Sequence, residues 1–392
     1  MSNPVPPPSR TGRYVRRSTV GEPFAAFVPH PLPPDPPLAF SPDLEDLRDR
    51  ASEALGRLDM ISTLLPDAGL FIYFYVRKEA VLSSQIEGTQ SSFSDLLLYE
   101  TDEVPGVPLR DVEEVSKYVE AMNHGLARIR DGFPLSLRLI REIHEILLSS
   151  GRGADKAPDD FRRSQNWIGG PRPGRARFVP PPPEEVMDAM GALEKFLHDD
   201  PVRTPVLVKA ALAHVQFETI HPFLDGNGRV GRLLITFLLC AEGRLNEPML
   251  YLSLYLKKNR DTYYDLLQRV RTEGAWEEWV EFFLTGVIET ASQAVAAARS
   301  IGHLFETDRA RISALGRSAG TAGRLHRLLQ ARPIVSAAHV ADALEVSPTT
   351  AGTALSNLEE LGVVREATGK ARNRLYAYQD YLDILDDGTE PL

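Results

Sequence analysis

Apolar residues recur every three to four positions through most of this chain. Leu44, Leu47, Ala51, Ala54, Leu55 and Leu58 set that period in a helical stretch reaching about Leu98, and Pro66 separates two helices within it. Segments 110–131, 137–150, 184–199 and 204–219 read as further amphipathic helices ending at glycine or proline. The apolar run Leu233-Leu-Ile-Thr-Phe-Leu-Leu-Cys240 reads as a buried helix. Aromatic residues from Tyr251 through Tyr263 and Tyr264 to Trp276 and Trp279 fall at helical spacing, which predicts core positions. The period breaks between Phe161 and Pro180, where two short β-prone pieces flank a Gly/Pro turn. That is a hairpin, stopped by four prolines at 180–183. Near the C-terminal end, 325–329, 337–344 and 349–361 read as three short helices. Arg365 to Tyr378 then reads as a two-stranded hairpin turning at Gly369. The expected class is mainly α.

Composition changes this picture little. The 392 residues allow two or three domains, and 43% hydrophobic with 25% charged residues is ordinary for a soluble chain. A net charge of −10 gives no global pull toward nucleic acid or an anionic membrane. The single Cys240 excludes an intramolecular disulfide and reads as a small buried hydrophobe. No secretory signal is read in the first residues and no apolar run spans a bilayer, so the expected compartment is the cytoplasm. Residues 1–40 contain eleven prolines, which predicts a polyproline-like arm; Phe24, Phe27 and Val28 give it something to bury.

The chemistry concentrates in His221-Pro-Phe-Leu-Asp-Gly-Asn-Gly-Arg-Val-Gly-Arg232. Gly-Asn-Gly alone would be a tight turn. Here it feeds a predicted helix N-terminus, where free N–H groups and the helix dipole favour phosphate. Arg229 and Arg232 are three apart, so the first turn should project both guanidinium forks to one side, suited to a polyphosphate. Asp225 precedes the glycines and offers a carboxylate to magnesium. His221 opens the loop, placed to take a proton near neutral pH.

These residues match, at every defined position, the Fic family signature His-Pro-Phe-x-Asp/Glu-Gly-Asn-Gly-Arg-x-x-Arg, and the chain resembles that family. The resemblance implies a helical enzyme that moves AMP from ATP to a protein hydroxyl. It implies His221 as the base and Asp225 for Mg2+. Gly226, Asn227, Gly228 and Arg229 form the implied phosphate cradle, and Arg232 takes the terminal phosphate. The related Doc branch, which phosphorylates, carries lysine where this chain has Gly228, and so Gly228 points to nucleotide transfer.

A second segment, Glu79-Ala-Val-Leu-Ser-Ser-Gln-Ile-Glu-Gly-Thr-Gln90, resembles the family's inhibitory motif. Ser83 and Glu87 share one helix face, and Gly88 follows. A carboxylate offered to Arg232 would occupy the fork meant for the γ-phosphate. By the same resemblance the 161–180 hairpin is the flap that pairs with the target backbone, with Trp167 or Ile168 beside the modified side chain. Tyr264 borders the adenine pocket. Some relatives place asparagine seven residues after that tyrosine; this chain has Arg271, which leaves base recognition open.

The C-terminal part resembles the winged helix of one Fic subgroup. Its expected recognition helix, 347–361, has no Lys or Arg, while Arg365, Lys370, Arg372 and Arg374 lie in the wing. That charge pattern favours a protein contact over DNA binding. The expected division is a Pro-rich arm 1–40, a helical region with the inhibitory helix 41–105, a catalytic core 106–290, a connecting helix 291–319 and a winged helix 320–392. Every expected catalytic residue lies upstream of 290, so removal of 320–392 should leave the chemistry intact. The expected activity is self-inhibited adenylyl transfer to Ser, Thr or Tyr of targets and of the chain itself. Removal of AMP by the same site, or ATP sensing by a DNA-binding regulator, stays open, as does a homodimer.

Overall fold

A computed structural model describes residues 10–19, 22–64, 68–100, 109–150, 153, 156–368 and 374–391. The described chain opens on a hairpin of β1 (Gly12–Thr19) and β2 (Glu22–Pro29), antiparallel, with Gly12 opposite Pro29 and Thr19 opposite Glu22. This corrects the extended arm expected there. The prolines gather at 4–8 and 29–37 and leave only Pro23 between, so the intervening residues can form a ladder. Phe24, Phe27 and Val28 are buried, and the Phe27 N–H donates to Val179 O at 2.9 Å.

Helices follow. α1 (Pro42–Leu64) and α2 (Ala68–Ile86) flank the expected break, though Pro66 itself lies outside the described residues. α2 stops at Gly88, whose φ of +101° is open to glycine and strained for other residues. α3 (Phe93–Tyr99) begins on a capping box in which Ser92 and Asp95 satisfy each other's backbone N–H. Next come α4 (Leu109–Arg130), α5 (Leu137–Leu147) and α6 (Pro183–Leu197), the last of these opened by the proline run. α7 (Val206–Ile220) is buried at every position and forms the axis of the body. Around it pack α6, α8 (Asn227–Ala241), α10 (Arg260–Glu273) and α11 (Trp276–Ser313), with α9 (Ser253–Lys258) against α2. Tyr251, Tyr263, Trp276 and Trp279 are core, as their spacing predicted. Cys240 is only partly buried.

The 38-residue α11 lies along α1 and runs on through most of the stretch expected to connect two domains. Beyond it stand α12 (Ala319–Ala331), β3 (Ile334–Ser336), α13 (Ala337–Ala343), α14 (Pro348–Glu360), β4 (Arg365–Glu366) and β5 (Leu375–Ala377). The sheet order is β3-β5-β4, so the wing gains a third strand that the sequence reading did not include. Gly369, Lys370 and Arg372 lie outside the described residues.

Helix α15 (Gln379–Asp386), beyond the elements that the sequence predicts, and the residues after it follow. They return to the front of the body. Tyr381 meets Phe74 of α2 edge-on, with ring centroids 5.3 Å apart. Gln85 Nε2 donates to Thr389 O at 2.6 Å, Lys78 Nζ to Asp387 O at 2.7 Å, and Ser94 Oγ to Asp386 Oδ2 at 3.0 Å. A continuous apolar core therefore joins the body and the C-terminal module. Among the described residues no helix is long and apolar enough to cross a membrane.

Candidate active site

The loop between α7 and α8 is held by its own side chains. His221 caps α7 in a left-handed conformation, φ 49° and ψ 60°, with its N–H on Phe217 O at 2.9 Å. Arg162 Nε donates to His221 O at 2.9 Å, and the same guanidinium reaches Pro181 O and Ile220 O. Asn227 is buried and ties the loop shut: Oδ1 accepts from Phe223 N and Nδ2 donates to Phe223 O, each at 2.9 Å. His144 of α5 stacks on Phe223, with centroids 3.6 Å apart. Its Nδ1 accepts from Asp159 N–H at 3.2 Å, which leaves Nε2 to donate to Asp225 O at 3.1 Å. Burial lowers its pKa to about 4, consistent with that neutral tautomer.

Gly226, φ +77°, caps α8, and no side chain caps the first N–H groups of the helix. The two arginines expected to project together part company. Arg232 faces the cavity. Arg229 turns the other way, buried with Nη1 2.7 Å from Glu114 of α4 and Nη2 3.8 Å from Asp225. The carboxylate on α4 decides this, because a buried guanidinium is stable only beside its counter-charge. Arg229 and the Asn227 side chain thus hold the loop in shape, and Gly228 lines the cavity. Asp225 keeps a partly exposed carboxylate beside Gly153.

α2 fills what remains. Arg232 Nε donates to Ser83 Oγ at 2.7 Å, and Nη2 donates to Ser83 O at 3.1 Å and to Glu87 Oε1 at 2.7 Å. A Cβ added to Gly228 would stand 2.2 Å from Glu87 Oε1, so the carboxylate lies against the bare glycine at the cradle.

The cavity measures about 810 Å³. Glu87, Trp167, Ile168, His221, Gly228, Arg232, Tyr264 and Arg271 are among the residues that line it. The expected flap hairpin is reduced to one bridge, Ile168 opposite Phe178, because Pro171 and Pro173 interrupt any longer ladder. Trp167 is 39% exposed. Burial first, then the charges of Arg271 and Arg162, lowers the His221 pKa to about 3, so its imidazole is neutral at physiological pH.

Three comparisons bear on this geometry. The Fic/DOC family N-terminal pattern matches residues 46–127, the Fic/DOC family pattern residues 134–239, and an HTH DNA binding domain pattern residues 323–377. The chain carries the N-terminal and Fic domains of the Fic/DOC family. A probable protein adenylyltransferase of Aquifex aeolicus is 30% identical over 205 residues, 52% of this chain and 58% of that one. The protein adenylyltransferase Fic of Aedes aegypti is 34% identical over 170 residues, 43% of this chain and 31% of that one. The match thus spans under two thirds of either relative. A Fic family protein of Desulfovibrio desulfuricans superposes with a TM-score of 0.58 at 20% identity, covering 87% of this chain and 97% of that one. A Fic domain containing signaling protein of Bacteroides thetaiotaomicron gives 0.53 at 22%, covering 64% and 97%. These two likenesses show the Fic fold.

The Fic loop also gathers residues that the sequence reading passed over. Glu218 sits three positions before His221 on a predicted helix, which was signal enough to place it near the loop. Arg162 and Glu114 reach the loop from elements distant in sequence, and no local pattern announces them.

Proposed function

We propose that this protein moves AMP from ATP to hydroxyl side chains of proteins, itself included, and that Glu87 of α2 holds the site back. One observation carries the reading: Glu87 Oε1 rests on Arg232 Nη2 at 2.7 Å and against Gly228, in the cavity that His221 also lines. A guanidinium and a bare helix N-terminus beside a neutral imidazole suit a polyphosphate and an attacking hydroxyl. The adenylyltransferase names of the relatives agree with it.

The target hydroxyl gives its proton to His221 as its oxygen bonds the α-phosphorus. The bond from that phosphorus to the bridging oxygen breaks, and pyrophosphate leaves with the electron pair. The depressed His221 pKa keeps the lone pair available, and a bound triphosphate offsets the nearby arginine charge and makes the imidazole a better base. Arg232 grips the γ-phosphate once Glu87 has left it. The N–H groups at the start of α8 hold the phosphates between. The donor set fits magnesium: Asp225 offers a partly exposed carboxylate at the loop and would hold the ion. The ion supplies charge neutralisation of the phosphates.

The test uses the whole chain with ATP labelled at either end. Label from the α-phosphate should stay on protein, with the mass of one AMP on Ser, Thr or Tyr. Retention of γ-label would show phosphorylation, and no retention of either would end the proposal.

A further inference from the structure

Glu218 is buried on the cavity wall, and no step above uses it. Its Oε2 lies 3.9 Å from His221 Nδ1. Glu218 Oε1 is buried without a hydrogen-bond partner, and the buried His221 Nδ1 has only the Glu218 backbone carbonyl beside it, outside good hydrogen-bond geometry. An unpaired buried acceptor is costly, and here one stands beside a ring nitrogen that can donate. The surroundings offer them little else. Oε1 rests against Gly231, where a Cβ would stand 2.8 Å away, and Phe217 closes the same side. The His221 backbone is fixed at both ends, by Phe217 O and by Arg162, so side-chain rotation alone brings ring and carboxylate together.

We propose that Glu218 is the positioning residue of His221: its carboxylate takes the Nδ1–H, leaves the Nε2 lone pair facing the target hydroxyl, and stabilises the imidazolium formed during transfer. The inference rests on His221 being the base. A carboxylate that holds the second nitrogen of a basic histidine fixes its tautomer and raises its proton affinity. The groups facing the pair are Arg162, Tyr263, Tyr264 and Arg271 around the end of α7, Arg232 on α8 and Glu87 on α2. Burial raises the Glu218 pKa to about 7; Arg232 and Arg271 draw it down, and Glu87 pushes it up. Departure of Glu87 from the site therefore favours the ionised form that the role needs.

The experiment follows His221 by NMR in the whole chain labelled with 15N-histidine, assigned by His221→Ala, alongside transfer kinetics in a Glu87→Gly background. Wild type should carry its proton on Nδ1. Glu218→Gln should lower the imidazole pKa by about one unit, move the acid limb of the kcat profile to lower pH, and cut kcat at least tenfold. KM for ATP should stay within about twofold. Glu218→Asp should recover part of the loss and guards against a folding defect in the amide variant. An Nε2–H tautomer, or an imidazole titration unchanged in both variants, overturns the assignment. If the titration shifts as expected while no variant transfers AMP, the positioning role stands and the transfer reading falls.

Discussion

Arg232 and Glu87 are joined at 2.7 Å between Nη2 and Oε1, 145 positions apart in sequence, with Ser83 accepting twice from the same guanidinium. Glu87→Gly should therefore raise AMP transfer and self-labelling. A shielded charge-assisted pair is worth a few kcal/mol, and about 1.4 kcal/mol is tenfold in rate, so one to three orders of magnitude are expected. Adding Arg232→Ala should remove most of the gain. Unchanged transfer with impaired AMP removal would instead make Glu87 a group of the reverse reaction.

His221→Ala should abolish labelling and leave ATP affinity within a few-fold of the parent. The imidazole is assigned to the hydroxyl and the phosphates to α8. Calorimetry with ATP on the purified variant checks this; a large loss of affinity would reassign the side chain to nucleotide binding.

Chelating magnesium should stop transfer, and Asp225→Ala should raise the magnesium concentration needed for half-maximal rate. The loop's only partly exposed carboxylate is then missing from the ion's shell. A magnesium titration unaltered by the substitution would place the ion elsewhere.

Stability should fall as pH drops from about 6.5 to 4.5. Burial holds His144 and His214 to pKa values of about 4 and His221 to about 3, so the unfolded chain binds protons there that the folded chain refuses. Glu79 and Glu218, both raised to about 7, oppose this, because the folded chain keeps protons that the unfolded chain releases above its usual 4.5. His326 and His339 are lowered as well, so the histidines outnumber the carboxylates. Each uncompensated group is worth about 1.4 kcal/mol per pH unit. Melting curves should show the fall, and His221→Ala should lessen it; a flat profile would count against the buried neutral histidines.

Removing residues 379–391 should lower the melting temperature and raise transfer in the otherwise unaltered chain. That revises the expectation that the C-terminal module can go without effect on the chemistry. Phe74, Lys78 and Gln85 of α2 lose their partners in α15 and beyond, and α2 carries Ser83. Gln85→Ala offers a milder version, expected to cost about 1 kcal/mol. Wild-type rates in both variants would separate the C-terminal segment from control of the site.

Local pattern was enough wherever structure is local. The helical period foretold most of the helices, and His221, Gly226, Gly228 and Arg232 follow one another along the loop and the first turns of α8. Sequence was silent where a distant partner decides. Arg229 follows Glu114, 115 positions earlier, and leaves its expected side. The strands β1 and β2 were hidden by neighbouring prolines that bracket the ladder without entering most of it. Nothing within 379–391 itself points to α2, because its bonds to that helix run largely through its own backbone carbonyls.

Order of synthesis gives that C-terminal return a temporal meaning. The ribosome completes α2, the loop and α8 well before it reaches Thr389. A nascent chain made through α14 already contains every residue named at the cavity, while Gln85 still lacks the carbonyl at Thr389. The helix bearing Ser83 is thus fastened in two stages, first by Arg232 and last by the residues that follow α15.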